Sequence, residues 1–72
     1  MILSIEASKR NPVEDHRHNL VDSLLSADPT EACEQTRRFL AQGYWVEIFH
    51  EESKELVGGP FDPDQPAPSF IL

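Results

Sequence analysis

The sequence predicts a small two-layer α+β domain in the order β-α-α-β-β, with two helices packed on one face of a three-stranded sheet. Three observations lead there. A helix-start phrase is written twice, Asn11-Pro12-Val13-Glu14 and Asp28-Pro29-Thr30-Glu31. Gly43 closes the second helical stretch. Residues 44–50 then switch to a period of two, rich in aromatic and β-branched side chains.

The elements follow in order. Residues 1–7 alternate loosely, with Leu3 and Ile5 on one side and Ile2, Ser4 and Glu6 on the other, as in a short strand. Ser8-Lys9-Arg10 makes a polar connection to the first cap. Asn11 can accept from free backbone N–H groups, Pro12 needs no donor at the first helical position, and Glu14 closes a capping box. At about 100° per residue, Val13, Leu20, Val21, Leu24 and Leu25 share a stripe, which predicts an amphipathic helix ending near Ser26-Ala27 before Pro29. The second helix, over residues 29–42, turns Ala32, Thr36, Phe39 and Leu40 inward with Cys33 on the flank. Residues 44–50 form the strongest strand, Glu51-Glu52-Ser53-Lys54 a turn, and Glu55-Leu56-Val57 the antiparallel return that Gly58-Gly59-Pro60 breaks before Phe61.

Residues 1–61 form the single domain, and residues 62–72 a Pro-rich tail with an apolar end. Three prolines in residues 62–68 remove ladder donors, so that stretch is extended, while Phe70-Ile71-Leu72 can fold back or dock in a partner's groove. A domain of this size buries only about 60% of its unfolded surface, and self-association or another partner would add burial. Cys33 is the one cysteine, excluding an intrachain disulfide and favouring a reducing compartment, with the cytoplasm as the default. No segment has the length of a membrane span or a signal-peptide core. Thirteen acidic against six basic residues give a net charge of −7, which opposes direct binding to nucleic acid and to anionic membranes.

Chemistry-bearing motifs are few. His16 and His18 point about 160° apart on a helix and do not clamp one ion, and neither C-x-x-C nor H-x-x-x-H occurs. Cys33 lacks a neighbour that would hold a thiolate, and Glu47, Glu51, Glu52 and Glu55 form a solvated cluster around a turn. Gly58-Gly59 lacks the strand-to-helix context of a phosphate loop. No catalytic, cofactor-binding or metal-ligating residue is assigned, and no cofactor.

The remaining signal is apolar. In residues 44–50, Tyr44, Val46 and Ile48 point one way and Trp45 and Phe49 the other, and two helices can blanket one face. Trp45 and Phe49 are therefore expected to form an open patch for a homodimer or hetero-complex. Arg17, inside the first helix's stripe, snorkels to water or reaches a partner. Phe70 and Leu72 complete the candidate protein-interface residues. The stretch from Asp28 to Val57 has the general look of small bacterial and phage accessory proteins, without a motif that names a family. The reading is a non-enzymatic interaction module acting as a small regulator, adaptor or inhibitor. The alternatives are an acidic nucleic-acid mimic that blocks a DNA- or RNA-binding protein, and a small metal protein or enzyme using His50 and Cys33.

Overall fold

The computed structural model describes residues 1–14, 19–68 and 71. The order is β1 (Leu3–Ser8), β2 (Leu20–Ser26), α1 (Pro29–Ala41), β3 (Trp45–His50) and β4 (Leu56–Phe61). The strands make one antiparallel sheet in the spatial order β2-β1-β3-β4. This overturns the three-stranded β-α-α-β-β arrangement: four strands and one helix are described.

The difference lies between the two cap phrases. Asn11 does cap, its Oδ1 accepting from the Val13 N–H at 3.0 Å while its carbonyl accepts from the Glu14 N–H at 3.1 Å, but the result is a turn. Leu20–Ser26 is strand. Val, Asp, His, Asn and Ser supply nine of the fourteen residues from Val13 to Ser26, all weak helix formers. Against that weak preference stands the open edge of β1, which gains a full ladder when β2 pairs with it from Leu3↔Ser26 to Ser8↔Leu20. The spaced apolar pairs Leu20-Val21 and Leu24-Leu25 fit a helical stripe, but in the strand Leu24 faces the core beside Ile5 and Leu25 faces away beside Ser4.

The helix forms where its spacing places it. Asp28 Oδ1 accepts from the Thr30 N–H at 2.9 Å, and Pro29 takes the first turn. At the other end the Tyr44 N–H donates to the Phe39 carbonyl at 3.1 Å and the Gly43 N–H to the Leu40 carbonyl at 3.0 Å, a Schellman closure in which Gly43 adopts φ +91°. Ala32, Thr36, Phe39 and Leu40 are buried, and the Thr36 hydroxyl is satisfied by the Ala32 carbonyl at 2.8 Å. The helix packs on β1, β3 and β2. Below it lie Leu3, Ile5, Ala7, Val46 and Ile48, with Ile5, Val46 and Ile48 fully enclosed. Each such side chain contributes about 1.5–3 kcal/mol.

One further correction concerns the C-terminal third. Gly58-Gly59-Pro60 does not end the strand, because β4 continues to Phe61 with its register shifting twice against β3. As an edge strand it tolerates Pro60, whose missing donor costs no ladder bond on the free side. Ile71 joins the core cluster, and the Arg37 guanidinium donates to the Pro68 carbonyl at 3.3 Å, so the chain beyond β4 returns to the body.

Candidate functional site

Antiparallel pairing keeps partners on one face, so the register sorts the sheet. Leu3, Ile5 and Ala7 with their partners face α1. Ser4 pairs with Leu25 on one side and Phe49 on the other, and Phe49 pairs with Leu56, so Leu25, Ser4, Phe49 and Leu56 form a row across all four strands on the opposite face. Ile2 extends its end, its carbonyl accepting from the Glu51 N–H at 2.9 Å. Four residues further along β3, Trp45 stands beside Ser8, which also pairs with Leu20. Between the two apolar ends lie Ser23, Glu6 and Glu47, the two carboxylate residues directly opposite each other.

Exposure grades across this face. Leu25 is 58% exposed, Leu20 53%, Leu56 48% and Ile2 45%. Trp45, Phe49, Glu6 and Glu47 are half-buried, while Ser4 and Ser8 are buried in the troughs between larger neighbours. Large apolar side chains exposed together, rather than singly, are the physical mark of a contact surface. Successive rows are about 7 Å apart along a strand and strands about 4.8 Å apart, so the patch spans roughly 14 Å in each direction.

Of the sequence-derived interface residues, Trp45 and Phe49 share this face. Arg17, Phe70 and Leu72 lie outside the described residues. Leu20, Leu25 and Leu56 were missed as face residues because the first two had been assigned to a helix, and Leu56 is placed by its pairing with Phe49 rather than by local pattern.

The β2 edge of the sheet beside this face is partly closed. The Ile2 carbonyl points to β3 and the Lys9 N–H donates to the Asn19 carbonyl on the β2 side at 2.9 Å, so Leu3, Ile5 and Ala7 bond toward β2. Their partners Ser26, Leu24 and Asp22 bond inward, leaving the backbone groups of Leu25 and Ser23 on the edge. Asp22 Oδ1 accepts the Ser23 N–H at 2.8 Å, and the register shift beside Ala7 adds a bulge at Val21. Both devices blunt an edge that would otherwise template another strand.

A cleft of about 280 Å³ at the Ile2 end of this face is lined by Met1, Ile2, His50, Glu52 and Ser53. It brings together one imidazole, one carboxylate and one hydroxyl. Cys33, a free thiol, instead packs against the core from the helix flank. Among the described residues no three His, Cys, Asp or Glu side chains cluster to hold a metal ion. Among them, too, no helix is long and apolar enough to cross a membrane.

Comparison with protein-family models, with curated proteins and with solved structures finds no match. Nothing in the fold or in these comparisons supports a homodimer or a bacterial or phage origin, and the expected helix pair beneath that likeness is replaced by β2 and α1.

Proposed function

We propose that the chain is a non-enzymatic protein-interaction module, a small regulator, adaptor or inhibitor, that docks another protein on the sheet face opposite α1. The observation that carries this reading is the apolar row Leu25, Phe49 and Leu56, joined by Ile2 at its end and by Trp45 and Leu20 two rows away. A helix covers one side of a thin body, 16 Å in its shortest dimension, and on the other side Ile2, Leu20, Leu25 and Leu56 are exposed around the half-buried Trp45 and Phe49. Covering such a face excludes water from about six apolar side chains, at roughly 25 cal/mol for each Å² buried. The free thiol of Cys33 suits a reducing compartment, and the cytoplasm is the setting proposed for the module.

A photo-crosslinking amino acid placed at Leu25 or Leu56, and at Glu34 on the outer side of α1, tests this in the cell that makes the protein. Discrete adducts from positions 25 and 56, lost on Phe49→Ser and not seen from position 34, are expected. Equal labelling from all three positions, or none, overturns the reading.

A further inference from the structure

On the α1 side of the sheet we infer a second site, in the trough between α1 and the outer strand β4. It docks an extended segment of a partner protein that carries an aliphatic residue three places after a proline. The chain's own Pro68 and Ile71 fill the trough in this structure. Their contacts define what fits. β3 pairs Ile48 with Gly58 and Val46 with Phe61 on the α1 face. The helix packs chiefly on β1, β3 and β2, so β4 is the strand it covers least. Gly58 leaves bare backbone as the floor there: a Cβ on it would stand 3.3 Å from the Ile71 carbonyl oxygen and 3.3 Å from the Phe61 ring. Ile71 is 7% exposed among the core residues, and Arg37 on α1 donates to the Pro68 carbonyl at 3.3 Å. The trough thus buries one aliphatic side chain and offers a guanidinium to the backbone carbonyl three residues before it.

The resident segment is held lightly. After Phe61, the Asp62 carbonyl accepts from the Gln65 N–H at 3.2 Å and Asp62 Oδ1 from the Asp64 N–H at 2.8 Å, a turn that starts the chain back toward α1. Residues 64–67 are exposed, and Pro66 and Pro68 have no N–H to give a neighbouring strand. A buried side chain and an exposed hydrogen bond can be released while sheet and helix stay intact, as local openings at chain ends are. A partner segment with the same carbonyl and the same aliphatic side chain then meets an empty trough. Its proline holds it extended beforehand, which lowers the ordering cost of docking. Its apparent affinity falls only by the fraction of time that Ile71 is in place. The trough lies on the other side of the sheet from the Phe49 row, so either surface can be filled without the other.

The experiment measures fluorescence polarisation of a labelled peptide of residues 62–72 titrated with the parent chain and with full-length Ile71→Ala and Ile71→Val. The peptide should bind Ile71→Ala at least about tenfold more tightly than the parent, with Ile71→Val between them, because each loses part of the competing side chain. A peptide carrying Ile71→Asp should not bind. Adding Leu56→Ser to the Ile71→Ala chain should leave the affinity unchanged, which separates this site from the opposite face. Should Ile71→Ala fail to fold by circular dichroism, Ile71→Val carries the comparison, with binding several-fold tighter than the parent. Equal affinity for all the chains, no binding to a folded Ile71→Ala, or binding that survives Ile71→Asp in the peptide overturns the site. Co-elution of Ile71→Ala with the parent chain in the absence of peptide assigns the trough to a second copy and overturns the partner segment.

Discussion

The carbonyl oxygen of Val46 stands 2.5 Å from the place a Cβ on Gly59 would occupy, and Gly59 itself sits at φ +95°. β4 thus crosses its second register shift only because residue 59 has no side chain. Backbone, not a flexible side-chain end, is what a methyl group there would strike. Gly59→Ala should cost roughly 3 kcal/mol or more, well beyond the usual single-site change. Gly43→Ala is the control: it shares a positive φ, +91°, but meets nothing within 4 Å. That change should cost about 1–2 kcal/mol, the strain of the left-handed conformation alone. Chemical denaturation of the two variants checks the ranking.

Asp28 and Asn11 make the same side-chain bond, to the backbone N–H two residues on, yet only Asp28 heads a helix. Asp28→Ala should lower stability by about 1 kcal/mol, a fall in Tm of about 4–8 °C for a domain of this size. Asn11→Ala should cost less than half of that. Equal losses in a thermal melt would mean that the first phrase supports more structure than its turn.

The two sheet faces should respond oppositely to truncation. Ile48 is fully enclosed under α1, and Ile48→Ala should destabilise by about 2–5 kcal/mol. Leu56→Ser, at 48% exposure on the other face, should stay within about 1 kcal/mol while abolishing crosslinking to a partner. Urea titrations together with the crosslinking yield separate the two effects.

Asp22 closes the edge of β2 by accepting the Ser23 N–H. Replacing it by Val frees that donor and adds a β-branched residue to an exposed strand. Asp22→Val should therefore associate or precipitate at concentrations where the parent scatters light as a single species, without loss of the far-ultraviolet circular dichroism of the fold.

Ile71 is 7% exposed within the core cluster, whereas the Arg37 bond to the Pro68 carbonyl is exposed. Ile71→Ala should cost about 2–3 kcal/mol and Arg37→Ala about 0.5 kcal/mol. Similar small losses for both, measured by denaturation, would remove Ile71 from the list of residues that hold the fold.

Legibility in the sequence followed the strength of local preference. The helix over Pro29–Ala41 and the strand over Trp45–His50 were readable because cap, periodicity, terminal glycine and residue type all agree there. The stretch Leu20–Ser26 was not. Its leucines satisfy a helical stripe on paper, and the cap phrase before it is real, but neither signal reports that β1 has an unpaired edge waiting across a connection of eleven residues. The site inherits that division. Trp45 and Phe49 could be placed on one face by alternation within their own strand, whereas the neighbours that turn two aromatics into a continuous surface arrive through pairings between strands. The path of β4 through Gly59 was likewise hidden, because a bulge depends on the partner strand and not on the residues that make it.

The central place of β1 sets the order in which the molecule can assemble. Ile5 meets Leu24 across a loop of nineteen residues and Ile48 across forty-three, and the longer closure costs about 0.7 kcal/mol more in chain entropy. A hairpin of β1 and β2 is thus the first unit available as the chain leaves the ribosome. Its Leu3, Ile5 and Ala7 stay uncovered until α1 and β3 have been synthesised. For that interval the nascent protein carries its future core as a sticky surface, and the shielded edge of β2 helps keep such hairpins from joining one another.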